Sequence, residues 1–184
     1  MILQILAIAA SMVSPPARAL TVTPECVWRH LPDVTREEVF AKYHAGGADG
    51  LGQAAIGDDQ VIAAFRTCAG RLDGEPPLEL GPALVGAALR SAAAHELKAI
   101  DGVRPKTLDL AWQHLADAER QLLINAFRYP EADIPRKAFV VLDRAVRAAG
   151  CHTGPPSPRY RSYTDYFMGR AEEEAYSMRA ASSK

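Results

Sequence analysis

The sequence predicts an all-α protein of about eight helices, built as two tandem-duplicated halves of four that form one compact helical domain. Three observations lead to this. No stretch alternates apolar and polar residues for long enough to make a strand. Apolar residues recur instead at helical spacing between cap and stop signals. The chain also matches itself: at an offset of 84, residues 23–36 (TPECVWRHLPDVTR) lie over residues 107–120 (TLDLAWQHLADAER) with six of fourteen positions identical. The identical pairs are Thr23/Thr107, Trp28/Trp112, His30/His114, Leu31/Leu115, Asp33/Asp117 and Arg36/Arg120, so both tryptophans of the protein share one register. Beyond the block, Val39/Leu123, Phe40/Ile124 and Tyr43/Phe127 continue the apolar face in phase. Residues 20–102 are therefore expected as helical repeat 1 and residues 103–184 as helical repeat 2.

Residues 1–19 read as a signal peptide. Ile2 to Val13 is an almost unbroken apolar run, Pro15 and Pro16 end it, and Ala17-Arg18-Ala19 places small residues where signal peptidase needs them. The run is shorter than the roughly 20 residues of a membrane span, so no anchor is expected after cleavage.

In repeat 1, Thr23 to Leu31 is expected as a short helix, and Thr35-Arg36-Glu37-Glu38 as a capping box opening a second helix that stops at Gly46-Gly47. After a Gly-rich loop, Asp58 or Asp59 caps a third helix running to about Cys68, with Gly70 as its stop. The turn Asp73 to Pro77 leads into an Ala-rich helix, Leu80 to Ile100, which is apolar on nearly every face and so is expected to be central. In repeat 2, Thr107 to Leu115 is short, Asp117 caps a helix to Arg128, and Pro130 breaks it. Ile134-Pro135 opens a helix that stops at Gly150, and Tyr163 to about Ala180 is the last, with Glu172-Glu173-Glu174 as a solvated patch.

The composition is globular, with 48% hydrophobic and 23% charged residues, and the formal charge of -1 provides no global field for nucleic acid. Export to an oxidising compartment makes Cys26, Cys68 and Cys151 candidates for bonding. Comparing the halves slot by slot, Cys26 corresponds to Leu110, while Cys68 and Cys151 end equivalent helices. The expected disulfide is Cys26 with Cys68, leaving Cys151 as a free thiol. The rival pairing is Cys68 with Cys151.

The duplicated W-x-H-L-x-D-x-x-R block holds residue types that chemistry favours. His30 and His114 facing each other across a pseudo-twofold would hold a metal, with Cys26 or a carboxylate as a further ligand. The structural reading is stronger: Trp and Leu fill core, Asp caps the next helix, Arg pairs back to a carboxylate, and His satisfies exposed backbone groups. His95-Glu96 begins like H-E-x-x-H, but Ala99 stands where the second histidine belongs. Gly50-Leu51-Gly52 has no preceding strand and reads as a loop, not a dinucleotide site. Cys151-His152 lacks both the first cysteine of C-x-x-C-H and any orienting third group. In the tail, Tyr163, Tyr166, Phe167, Arg170 and Ala171 make one docking face.

The expected function is that of an exported, non-enzymatic binding or protein-interaction module, periplasmic or secreted, with no catalytic residues, no cofactor and no nucleic-acid partner. The alternative is a small periplasmic hydrolase or metal-dependent enzyme with its site between the halves, around His30, His114 and Cys151. If both copies of the block are core, Trp28→Ala and Trp112→Ala each destabilise the fold by about 3 to 5 kcal/mol in chemical denaturation. A near-silent substitution at either tryptophan contradicts the equivalence of the two blocks.

Overall fold

The computed structural model describes residues 22–54, 56–70, 76–128 and 136–182. The expected signal peptide lies outside the described residues, as do residues 71–75 of the first turn and Pro130, Ile134 and Pro135. Among the described residues the chain forms eight α-helices and no strand: α1 (Pro24–His30), α2 (Asp33–Leu51), α3 (Asp58–Ala69), α4 (Leu80–Asp101), α5 (Pro105–Gln113), α6 (Asp117–Arg128), α7 (Arg136–Ala148) and α8 (Pro158–Ser182).

Local chemistry accounts for the helix ends. At α1, Thr23 Oγ1 accepts from the Cys26 N–H at 3.2 Å and Pro24 stands where a missing N–H costs nothing. The start of α3 carries Asp58 and Asp59, whose charges complement the helix dipole, and Gly70 (φ 68°) ends it. Gly102 closes α4 in the left-handed conformation, its N–H bonded to carbonyls of the last turn.

Three expectations are corrected. Thr35 does not cap α2: the helix begins at Asp33, Thr35 is buried, and its hydroxyl donates to Gln60 Oε1 of α3 at 3.1 Å. The first stretch of α2 does break at Gly47, as expected, but the loop expected after it is helical. Gly47 takes φ 62° and ψ -146°, which kinks the helix and lets another turn form through Leu51 where a loop was expected. Finally, α8 starts five residues before Tyr163, because Ser157 Oγ accepts from the Tyr160 N–H at 3.1 Å and Pro158 occupies the first helical position.

The two longest helices make the centre. α4 and α8 run antiparallel in the most extensive contact of the molecule, with Arg159 of α8 paired to Asp101 at the end of α4. α1 and α2 pack on α4, α3 packs on α1, α6 packs on α8, and α7 lies against α5, α6 and α8. At the α4–α8 crossing the backbones touch. A Cβ added to Gly86 would sit 2.6 Å from Glu172 Cβ and 3.0 Å from the Gly169 carbonyl oxygen; one added to Gly169 would strike the Gly86 carbonyl and lie 2.7 Å from the Arg90 nitrogen. Trp28 and Trp112, 2% and 1% exposed, plug the core on either side of this pair.

Gly86→Ala and Gly169→Ala therefore force the central helices apart and are expected to cost about 1 to 3 kcal/mol each in urea denaturation. Gly81→Ala, on the same helix with open space around it, is expected to be neutral or to stabilise by up to about 1 kcal/mol.

Candidate functional site

The two similar segments, residues 23–36 and 107–120, lie at the α1 to α2 and the α5 to α6 junctions. Trp28, Leu31, Trp112 and Leu115 are buried, whereas His30 and His114 are exposed. Asp33 and Asp117 are the first residues of their helices, not the caps, and their carboxylates pair with Arg36 and Arg120 three positions on. The cap position before α6 is Ala116, whose N–H donates to Glu119 Oε2 at 3.1 Å. Arg120 also donates to the Leu115 carbonyl at 2.9 Å. The Nδ1–H of His30 donates to the Cys26 carbonyl at 2.9 Å, the backbone role expected for it.

The block in repeat 1 continues into a covalent corner. Cys26, on α1, and Cys68, at the end of α3, are disulfide-bonded with Cα atoms 6.0 Å apart, and the rival Cys68–Cys151 pair does not form. Cys151 is a buried free thiol beside Thr153. One turn along α1 from Cys26, His30 Nδ1 lies 3.6 Å from Cys26 Sγ and 3.5 Å from Cys68 Sγ. Cys26, His30 and Cys68 thus bring three metal-capable atoms within 4.8 Å of one another. Among the described residues no such cluster joins His30 to His114, the alternative weighed against the structural reading of the block. His152 is exposed while Cys151 is buried, which separates that pair too.

A second feature lies between α2 and α4. Phe40 stacks on His95 with ring centroids 4.5 Å apart and planes 7° from parallel, and Trp28 meets the edge of Phe40 at 6.1 Å. Beside the stack, His44 Nδ1 lies 2.9 Å from Glu96 Oε2. These residues, with Glu37, Ala41, Ala99 and Ile100, line an open groove of 520 Å³ whose walls are mostly apolar. Sequence reasoning noticed His95-Glu96 only as a failed zinc motif. The available signal was the i, i+4 spacing of Phe40 and His44 on one helix and of His95 and Ala99 on another.

Behind these surfaces lies a buried ionic core, and here the expected solvated Glu172-Glu173-Glu174 patch is corrected. Glu173 is 5% exposed and accepts from Arg90 Nε at 2.8 Å and from Arg170 Nη1 at 3.3 Å. Glu174 accepts the Trp112 indole N–H at 2.7 Å and Arg120 Nε at 3.2 Å. Glu172 lies against Gly86 at the crossing. Arg90 reaches Glu25 of α1 as well, and Tyr166 donates to Asp109 of α5 at 2.7 Å. The acidic run is drawn inward because α8 is covered along that stretch by α4, α5 and α6, where the Glu173 carboxylate meets guanidinium groups and the Glu174 carboxylate meets a guanidinium and an indole.

At the other end of α8, Tyr43 of α2 donates its hydroxyl to Asp165 Oδ2 at 2.8 Å. Burial pushes the Asp165 carboxyl up to about 6, although the Tyr43 hydrogen bond and the Arg161 charge favour its ionised form. Burial, with the Asp165 charge second, holds the Tyr43 phenol far above its ordinary range.

Compared with models of protein families, with curated proteins and with solved structures, the chain finds no match. Among the described residues, no helix is long and apolar enough to cross a membrane.

Because the folded-state pKa of Asp165 lies above the ordinary carboxylate value, the native state holds this proton more tightly than the unfolded chain does. Its contribution therefore favours folding below about pH 4 and is lost as pH rises through about 6, by roughly 2 to 3 kcal/mol. Asp165→Asn keeps an acceptor for Tyr43 and removes the charge, so denaturation midpoints measured from pH 4 to 7 are expected to lose this slope. An unchanged slope in the variant contradicts the assignment.

Proposed function

We propose that the protein is an exported, non-enzymatic interaction module of two related helical halves, working in the periplasm or outside the cell, and that the α2–α4 groove is its binding face. The observation that carries this reading is the stack of half-buried Phe40 on exposed His95 in the lining of a 520 Å³ groove. A flat pair of rings beside Ile100, itself 50% exposed, presents apolar surface that a soluble chain gains by covering. The rim sets the polarity of the occupant: Glu37 and Glu96 line the groove, and no lysine or arginine does. The reading commits to a partner protein segment that places an apolar side chain on the stack and a lysine or arginine against these carboxylates.

Two features support export: the signal-like leader and the disulfide. The hydrolase alternative needs His30, His114 and Cys151 in one place, and these lie in three separate settings: the disulfide corner, the exposed end of α5 and a buried pocket beside Thr153.

Selection of a displayed random-peptide library on the folded protein tests the reading. Enriched peptides are expected to share an apolar residue next to lysine or arginine, and to lose about tenfold in affinity, near 1.4 kcal/mol, on Phe40→Ala or Glu37→Lys. Peptides that bind both variants as well as the parent, or no enrichment at all, overturn the assignment of this groove.

A further inference from the structure

We propose that Cys26, Cys68 and His30 form a redox-gated zinc site: the disulfide is its closed state, and reduction opens a Cys2His site for Zn²⁺. In the oxidised chain both sulfurs are spent on each other, yet the imidazole nitrogen already lies 3.6 and 3.5 Å from them, and the three ligand atoms fall within 4.8 Å. A disulfide that only ties helices together needs no ring nitrogen at equal distance from its two sulfurs.

The scaffold suits a metal. Cys26 and His30 are four residues apart on α1, so both project from one face of a helix, and Cys68 approaches from α3, which packs on α1. Both cysteines are half-buried and His30 is exposed, so a reductant and the ion have access from solvent. Zinc bound by two thiolates and one imidazole is tetrahedral with sulfurs at about 2.3 Å and nitrogen at about 2.0 Å, and the fourth position is left to water. Small shifts of the two sulfurs, away from each other and around the ion, give that arrangement.

The chemistry balances with a dithiol as the reductant. The dithiol transfers two electrons and two protons to the Cys26–Cys68 bond, which becomes two thiols, while the dithiol closes to its own disulfide. On metal binding the two thiols release their protons to solvent as both sulfurs ligate. The single ring proton of neutral His30, on Nδ1 and bonded to the Cys26 carbonyl at 2.9 Å, passes through solvent to Nε2, which frees the Nδ1 lone pair for the metal. Protons and zinc compete for the same three atoms, so affinity rises with pH. The ion then takes over the bridge between α1 and α3 that the disulfide provided. His114, at the matching sequence position, has Leu110 four residues before it where His30 has Cys26, so that position offers no thiolate.

The test uses the full chain, oxidised or reduced with a dithiol that is then removed without air, titrated with zinc against a chromophoric chelator. Reduced protein is expected to bind one zinc per chain and oxidised protein none, with Co²⁺ giving a tetrahedral, thiolate-containing spectrum in the reduced chain alone. His30→Gln is expected to weaken zinc binding by at least about 100-fold, and His114→Gln to leave it unchanged. Equal binding by both redox forms, a six-coordinate Co²⁺ spectrum, or unchanged affinity in His30→Gln overturns the proposal. Circular dichroism covers the case in which reduction unfolds the chain: zinc restores the helical signal if the site exists, and failure to restore it overturns the proposal as well.

Discussion

Everything in this fold is arranged around one close approach, the crossing of α4 and α8 at Gly86 and Gly169. There the backbones are near enough that neither helix has room for a Cβ at its glycine. An Ala-rich helix such as α4 buries little area per side chain, so it cannot hold its neighbours by large apolar groups. It gains instead from contact density, since each small residue lets another backbone come close. α8 supplies the bulk that α4 lacks: Tyr163, Tyr166 and Phe167 are at most 1% exposed, and Phe167 lies 6.2 Å from the ring of Trp112. A small face against an aromatic face packs without voids, whereas two aromatic faces would hold these helices apart.

The same crossing fixes the ionic core. Arg90 and Glu173 stand one turn beyond Gly86 and Gly169, on opposite sides of the antiparallel crossing, and because side chains on a helix lean toward its N-terminus both lean back over it, Arg90 Nε meeting Glu173 Oε1 at 2.8 Å. Arg90 then reaches Glu25 of α1 and lies near Asp109 of α5, and one guanidinium links four helices. A buried ion pair contributes little net stability, because desolvation offsets most of its attraction, but losing one partner costs several kcal/mol. The value of this network is therefore selectivity. A register shift of one turn between α4 and α8 would leave Arg90 and Glu173 buried without each other, so one packing is strongly favoured over its neighbours.

What the sequence made legible was whatever depends on local chemistry. Helix count, the stops at Gly70 and Gly102, the central position of the Ala-rich helix and the Cys26–Cys68 bond all follow from period, cap residues and slot comparison. What it concealed depends on distant partners. Glu172-Glu173-Glu174 looks solvated in one dimension, because the cations and the indole that receive it come from α4, α5 and α6. Thr35 looks like a cap until Gln60 of α3 is beside it. Gly46-Gly47 looks like a terminator, yet a glycine at positive φ lets a chain leave a helix and re-enter one, and only the contacts that follow decide which. Of the candidate site, the sulfur pair was legible by comparing the halves. The groove was not, since Phe40 and His95 are 55 positions apart and neither belongs to a recognisable motif.

The two similar segments, residues 23–36 and 107–120, sit at comparable helix junctions and differ in what surrounds them. In the second, Trp112 gives its N–H to Glu174, Arg120 joins the same carboxylate, and Leu110 fills the slot that holds cysteine in the first. The Trp112 and Arg120 bonds turn polar groups inward, whereas Leu110 is 43% exposed. In the first half the equivalent surfaces stay open: His30 stands at a solvent-accessible sulfur pair, and the ring chain from Trp28 through Phe40 ends at an exposed His95. Reactive and recognisable groups left at a surface cost stability that a purely structural repeat has no reason to give up. On the proposed reading, in which the α2–α4 groove is the binding face, the first half does the work and the second supports it.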